Sequence, residues 1–168
     1  MNDRHVALVR AFFEALARRD LAVMERCYHP DVSFGDPVFQ EVEGRDRVMA
    51  MWRLRLGVRD GLHADFGDVA ADDHTGTARW TARYAFGRTG RRVVDEIDSL
   101  FRFEDDLIVR HHDDYDFRRW SKMALGRPAG VLFGWTPMFR KTIRDRAHQA
   151  LDAASWEEVS AWPASGAS

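Results

Sequence analysis

Residues 93–117 read VVDEIDSLFRFEDDLIVRHHDDYDF, and the pattern of this stretch decides the fold. Val93 to Phe103 forms one long extended run, rich in β-branched and aromatic residues. Glu104-Asp105-Asp106 interrupts it as a polar turn, and Leu107 to Phe117 runs back. Upstream, Thr77 to Phe86 alternates strictly. Trp80, Ala82, Tyr84 and Phe86 share one face, and Arg79, Thr81 and Arg83 share the other. Arg88-Thr89-Gly90-Arg91 supplies the turn between these strands, and Leu62 to Ala71 precedes them as another extended segment. The spacing predicts a four-stranded antiparallel meander. Such a sheet buries one face, which another layer must cover.

The cover comes from residues before Gly57, where the period is that of a helix. His5 to Arg18 carries Val6, Leu8, Val9, Phe12, Phe13 and Leu16 as an amphipathic stripe. Asp20 is the N-cap of a second, short helix that Pro30 ends. Val32-Ser33-Phe34 is a short extended piece, and Asp36-Pro37 is a turn that keeps Asp36 out of helical geometry. Gly44 to Leu56 forms a third helix. The fold class is therefore α+β: three N-terminal helices packed on an antiparallel sheet, plus a C-terminal helical extension.

Composition narrows the function classes. The 168 residues are 45% hydrophobic and 12% aromatic, enough for one well-packed domain and too apolar for intrinsic disorder. With 25 Lys/Arg against 27 Asp/Glu there is no net basic footprint for nucleic acid. The single cysteine, Cys27, excludes an internal disulfide and a multi-cysteine zinc cluster. Charges run through the apolar positions of the N-terminal segment, which is neither a signal peptide nor an anchor, so a cytoplasmic location is expected.

Three divisions are expected: a domain over 1–118, a basic amphipathic extension over 119–162, and a disordered tail over 163–168. From Arg118 to His148 there are eight Lys/Arg and one acid, Asp145. Pro137 opens a helix there, preceded by the apolar stretch Gly130 to Trp135. The extension is expected to act as a lid or a dimer contact, with an anionic membrane surface as the alternative.

The order helix–helix–Asp-Pro–helix–meander resembles the nuclear transport factor 2-like superfamily, including its SnoaL-like and ketosteroid isomerase-like members. The points of contact are Tyr28-His29-Pro30-Asp31-Val32-Ser33-Phe34-Gly35-Asp36-Pro37, Gly44-Arg45, Glu96 to Phe103 and Ile108 to Phe117. The resemblance implies a strongly curved sheet that wraps the helices into a cone whose apolar interior binds a hydrophobic small molecule, a homodimer, and no cofactor. It puts Asp36 at the position of a carboxylate general base and Asp98 at that of a neutral aspartic acid that donates to an oxyanion. Asp113 falls where cyclases and limonene epoxide hydrolase carry an essential aspartate. The family's tyrosine on the first helix corresponds to Phe12, which lacks the hydroxyl. The Arg-x-Asp that epoxide hydrolysis pairs with the end-strand acid has no counterpart between His74 and Val94, where no acid occurs.

If Asp98 faces the interior, so do Val94, Glu96 and Leu100 by the two-residue period. On the next strand the resemblance puts His111, Asp113, Tyr115 and Phe117 inward. The candidate catalytic residues are Asp36, Asp98 and Asp113, with Phe12, Trp52, Glu96, His111 and Tyr115 lining the substrate site. Carboxylates crowded in an apolar cavity cannot all ionise alike, and a split pair is what proton transfer at an enolisable carbonyl needs. The plainer roles are a turn at Asp36-Pro37, a solvent-facing Asp98 paired with Arg79 or Arg102, and a solvated strand end at Asp113. A metal site is not expected, because His111 and His112 point to opposite faces and His111 with Asp113 gives only two ligands. A non-catalytic ligand-binding or protein-interaction module of the same fold is the competing reading.

Overall fold

The computed structural model describes residues 2–57, 59–87, 89–126 and 137–153. Helix α1 (Asp3–Arg18) starts because the Asn2 side chain accepts the Arg4 and His5 N–H groups. It stops where Arg19 turns left-handed and its N–H reaches the Ala15 and Leu16 carbonyls. Asp20 caps α2 (Leu21–Cys27) by accepting from Val23 N–H at 3.1 Å. Strand β1 (Tyr28–Gly35) follows directly. Pro30 therefore lies inside a strand rather than ending a helix. It sits where the β1 register shifts between Tyr28 and Ser33, so its missing N–H breaks no regular ladder.

The chain continues through β2 (Val42–Glu43), α3 (Arg45–Gly57), β3 (Arg59–Ala71), β4 (Thr75–Phe86), β5 (Arg91–Glu104) and β6 (Leu107–Asp114). Helices α4 (Phe117–Leu125) and α5 (Pro137–Ala153) close it. The sheet has six strands in the order β2-β1-β6-β5-β4-β3, two more than the meander alone. The extra pairing is parallel: β1 lies against β6, with Phe34 beside His111. That neighbour relation sets Asp36, just past the end of β1, next to the end of β6.

The last strand ends at Asp114, earlier than the sequence pattern suggested. Asp116 accepts from Arg118 and Arg119 N–H and starts α4, which runs through position 118. Trp120 of α4 donates to Tyr84 at 2.9 Å and packs edge-on against Phe86. Helix α5 rests on α3 and the segment after β1. Asp152 bonds Arg47, Arg144 donates to the Pro37 carbonyl, and Leu151 is buried. Gly130 to Trp135 and the tail 163–168 lie outside the described residues. No helix among the described residues is long and apolar enough to cross a membrane.

Along β5 the buried positions are Val93, Asp95, Ile97, Ser99, Phe101 and Phe103. The expected inward set, Val94, Glu96, Asp98 and Leu100, is therefore corrected to the outward face, where Leu100 is 54% exposed. The physical reason is bulk: one parity holds Val93, Ile97, Phe101 and Phe103, the other only Val94 and Leu100 among acids and Arg102. On β6 a register shift between Arg102 and Phe103 of its partner lets Ile108, His111 and Asp113 all turn inward.

Candidate functional site

Three charged side chains meet inside the cone: Asp36 (3% exposed), Arg55 (5%) and Asp113 (0%). Each comes from a different element. Asp36 follows β1, and its Oδ1 accepts from the backbone N–H of Val38 at 2.7 Å and Phe39 at 2.5 Å. The Asp-Pro turn thus fixes one oxygen and leaves Oδ2 facing Arg55 Nη1 at 3.0 Å. Arg55 lies one turn beyond Trp52 on α3, with its guanidinium 4.8 Å from the Trp52 ring and 5.6 Å from that of Phe34. Asp113 Oδ2 stands 3.6 Å from the same Nη1.

Asp113 Oδ1 has its own partners. Ser99, directly across the ladder, donates its hydroxyl at 2.5 Å, and His111 Nε2 lies 3.0 Å away. Behind them, Trp80 donates to Ser99 at 3.1 Å, Tyr28 O is 2.7 Å from His111 Nδ1, and Trp52 donates to Tyr28 at 3.0 Å. Phe12 is fully buried, its ring meeting those of Tyr28, Trp52 and His111 edge-on. By contrast Asp36 Oδ2, both terminal nitrogens of Arg55 and Asp113 Oδ2 make no hydrogen bond with another described residue. Polar atoms this deeply buried normally find a partner, and here Asp36 Oδ2 and Arg55 Nη1 meet as an ion pair.

The two carboxyls are not equivalent. Burial pushes Asp36 up, against the pull of the Arg55 guanidinium and the Phe39 and Val38 N–H groups. Burial acts on Asp113 too, but His111, Arg55 and Ser99 outweigh it and hold that carboxyl at about 2. Burial likewise opposes the Arg55 charge, and Asp36 and Asp113 more than restore it. Asp113 is thus the firmly ionised member, and Asp36 is the one that takes a proton more readily. A split pair of this kind divides acid and base roles between like groups.

Of the residues singled out from sequence, Asp36, Asp113, His111, Trp52 and Phe12 come together here, and buried Tyr115 follows on the same inward parity. Asp98 and Glu96 do not. Asp98 lies on the outer face, paired with Arg79 at 2.8 Å, and Glu96 pairs with Arg119 at 3.1 Å. Sequence reasoning missed Arg55, Tyr28, Ser99 and Trp80. For Ser99 the odd-position parity of β5 carried the signal. For Arg55 the signal was an arginine one turn from Trp52, set between Leu54 and Leu56.

Residues 9–111 match the model of the SnoaL-like domain, and the chain belongs to that family. None of the curated proteins matches its sequence. Among solved structures, an epoxide hydrolase of Mycobacterium tuberculosis, described as LEH-like, is 23% identical over 77% of this chain and 96% of its own, with a TM-score of 0.62. An NTF2-like protein of Burkholderia pseudomallei is 21% identical over 74% and 98%, with a TM-score of 0.67. A protein of ketosteroid isomerase-like fold from Catenulispora acidiphila, solved with trimethylamine, is 15% identical over 77% and 97%, with a TM-score of 0.65. At these identities the likeness is one of fold.

Proposed function

We propose that this chain is a small-molecule enzyme that performs cofactor-independent proton transfer, of isomerase or cyclase type, on a hydrophobic carbonyl compound. The observation that carries the reading is the buried Asp36–Arg55–Asp113 cluster, two unequal carboxyls on one guanidinium. Asp113, ionised, removes the proton next to the carbonyl. Arg55 stabilises the negative oxygen that develops, a task the sequence had offered to Asp98. Asp36 holds Arg55 in place, and Asp113, now carrying the proton, returns it to the substrate. That a protein of the same fold was solved in complex with trimethylamine supports a small-molecule ligand.

The test is exchange of α-protons for deuterium in a panel of hydrophobic ketones, followed by NMR. Wild type should catalyse exchange for at least one member, and Asp113→Asn should lower it by about 10²-fold or more. Exchange no faster than in buffer across the panel, or unchanged in Asp113→Asn, would overturn it. A second reading, a non-catalytic ligand-binding or interaction module, is favoured by the near-complete enclosure of the same three side chains. Ligand binding without exchange would establish it.

A further inference from the structure

We propose that Tyr28 and His111 are positioning residues for Asp113: a one-way hydrogen-bond chain through them leaves only its Oδ2 free to take a proton. The direction follows from the groups at the far ends. An indole N–H can only donate. Trp52 gives its proton to the Tyr28 oxygen at 3.0 Å. The fully buried Tyr28 hydroxyl has His111 Nδ1, at 2.7 Å, as its one acceptor among the described residues, so its own proton goes there. That nitrogen therefore accepts, and the neutral ring carries its proton on Nε2, aimed at Asp113 Oδ1 at 3.0 Å. The second branch runs the same way. Trp80 donates to Ser99, and Ser99 donates to the same Oδ1 at 2.5 Å.

Two tryptophans thus set the polarity of two chains that converge on one oxygen. A proton on Oδ1 would meet two donors head-on. Oδ2 stands 3.6 Å from Arg55 Nη1 and accepts no hydrogen bond from the described residues. The groups around Asp113 are Arg55 from α3, Ser99 from β5 and His111 from its own strand, with Tyr28 behind His111 and with Asp36, Tyr84 and Tyr115 acting on Arg55. His111, read from sequence as a substrate-lining residue, is fully buried and acts through the carboxylate instead. The inference rests on the reading of Asp113 as the base, but its central claim, the direction of the chain, does not require turnover.

The experiment is a two-bond ¹⁵N–¹H correlation spectrum of the native full-length protein at neutral pH. The expected result is His111 with its proton on Nε2 and an unprotonated, hydrogen-bonded Nδ1. Tyr28→Phe should move the Nδ1 resonance towards that of a free imine nitrogen. It should also shift the acid limb of Asp113, followed by its carboxyl ¹³C signal, to higher pH. His111→Gln, which keeps an acceptor and a donor on one side chain, should hold that limb near the wild-type position, whereas His111→Phe should not. A proton on Nδ1 in wild type, or an unchanged Asp113 titration in both Tyr28→Phe and His111→Phe, overturns the proposal. If Tyr28→Phe does not fold, the wild-type tautomer and the His111 pair decide. Absence of catalysis with the expected spectra would overturn the enzyme reading and leave the directed chain standing.

Discussion

Ser99 and Asp113 face each other across β5 and β6, and the serine hydroxyl donates to Asp113 Oδ1 at 2.5 Å in the fully buried interior. One residue away, Asp98 sits beside Asp114 on the outer face of the same ladder. A single step along β5 therefore separates a side chain that shapes the candidate site from one that meets water.

The first prediction contrasts these neighbours. Ser99→Ala removes one of two donors to a buried carboxylate and strands the Trp80 N–H, so it should destabilise the fold by about 1–3 kcal/mol. Asp98→Asn breaks only an exposed pair with Arg79 and should leave the urea midpoint unchanged within error. Equal effects of the two substitutions would contradict the observed parity.

Arg55→Met leaves Asp36 and Asp113 buried without their shared cation. The loss should be about 3–5 kcal/mol near neutral pH. Without the guanidinium both folded carboxyls titrate higher than in wild type, so each buried charge is removed by protonation sooner as pH falls. The deficit should therefore shrink towards pH 4, and the double variant Arg55→Met/Asp36→Asn should recover part of it at neutral pH. Urea titrations of the three proteins at pH 4 and pH 7 check both points.

Asp113 makes a testable contribution to acid stability. Its folded value of about 2 lies below the ordinary 3.8, so its stabilisation is fully present above about pH 4. It is lost as pH falls through the folded value. Asp36, pushed up by burial, works in the opposite sense: its share is complete below the ordinary value and is lost as pH rises through the folded one. Asp113→Asn should thus flatten the decline of the urea midpoint between pH 4 and pH 2, while Asp36→Asn should leave that decline in place. A decline as steep in Asp113→Asn as in wild type would assign it to other groups.

Much of this arrangement was legible in the chain because it rests on local rules. The alternation of Trp80, Ala82, Tyr84 and Phe86, the Asp20 cap and the Asp36-Pro37 turn each declare themselves within a few residues. For β5 the strand's own bulk, Ile97, Phe101 and Phe103, pointed the right way, and the analogy that turned Asp98 inward pointed the wrong one. Beyond reach was the parallel pairing of β1 with β6, a contact between segments some 75 residues apart that no local period encodes. Arg55 was hidden for a related reason. An arginine in a helix ordinarily faces solvent, and only the tertiary placement of two carboxylates beside α3 makes a buried one tolerable. The arginine that no earlier strand offered to Asp113 comes from that helix.

Cys27 offers a final check, on how tightly the fold is closed where α2 meets β1. Its thiol is buried and donates to the Val23 carbonyl at 3.3 Å. Burial pushes it up to about 11 against a small opposing pull from Arg26. At pH 8 only about one thiol in a thousand would then be ionised, and it is the thiolate that reacts. Alkylation by iodoacetamide should be slower than that of a free cysteine by roughly 10²-fold or more. Mild urea should restore the free rate along the same curve as global unfolding, because Cys27 packs in the same apolar core as Phe12, Tyr28 and Trp52. The Arg55→Met variant, less stable at neutral pH, should react faster than wild type at every urea concentration below its midpoint. Rapid alkylation of the native wild type would mean that the α2–β1 junction opens on its own, well below the cost of unfolding the cone.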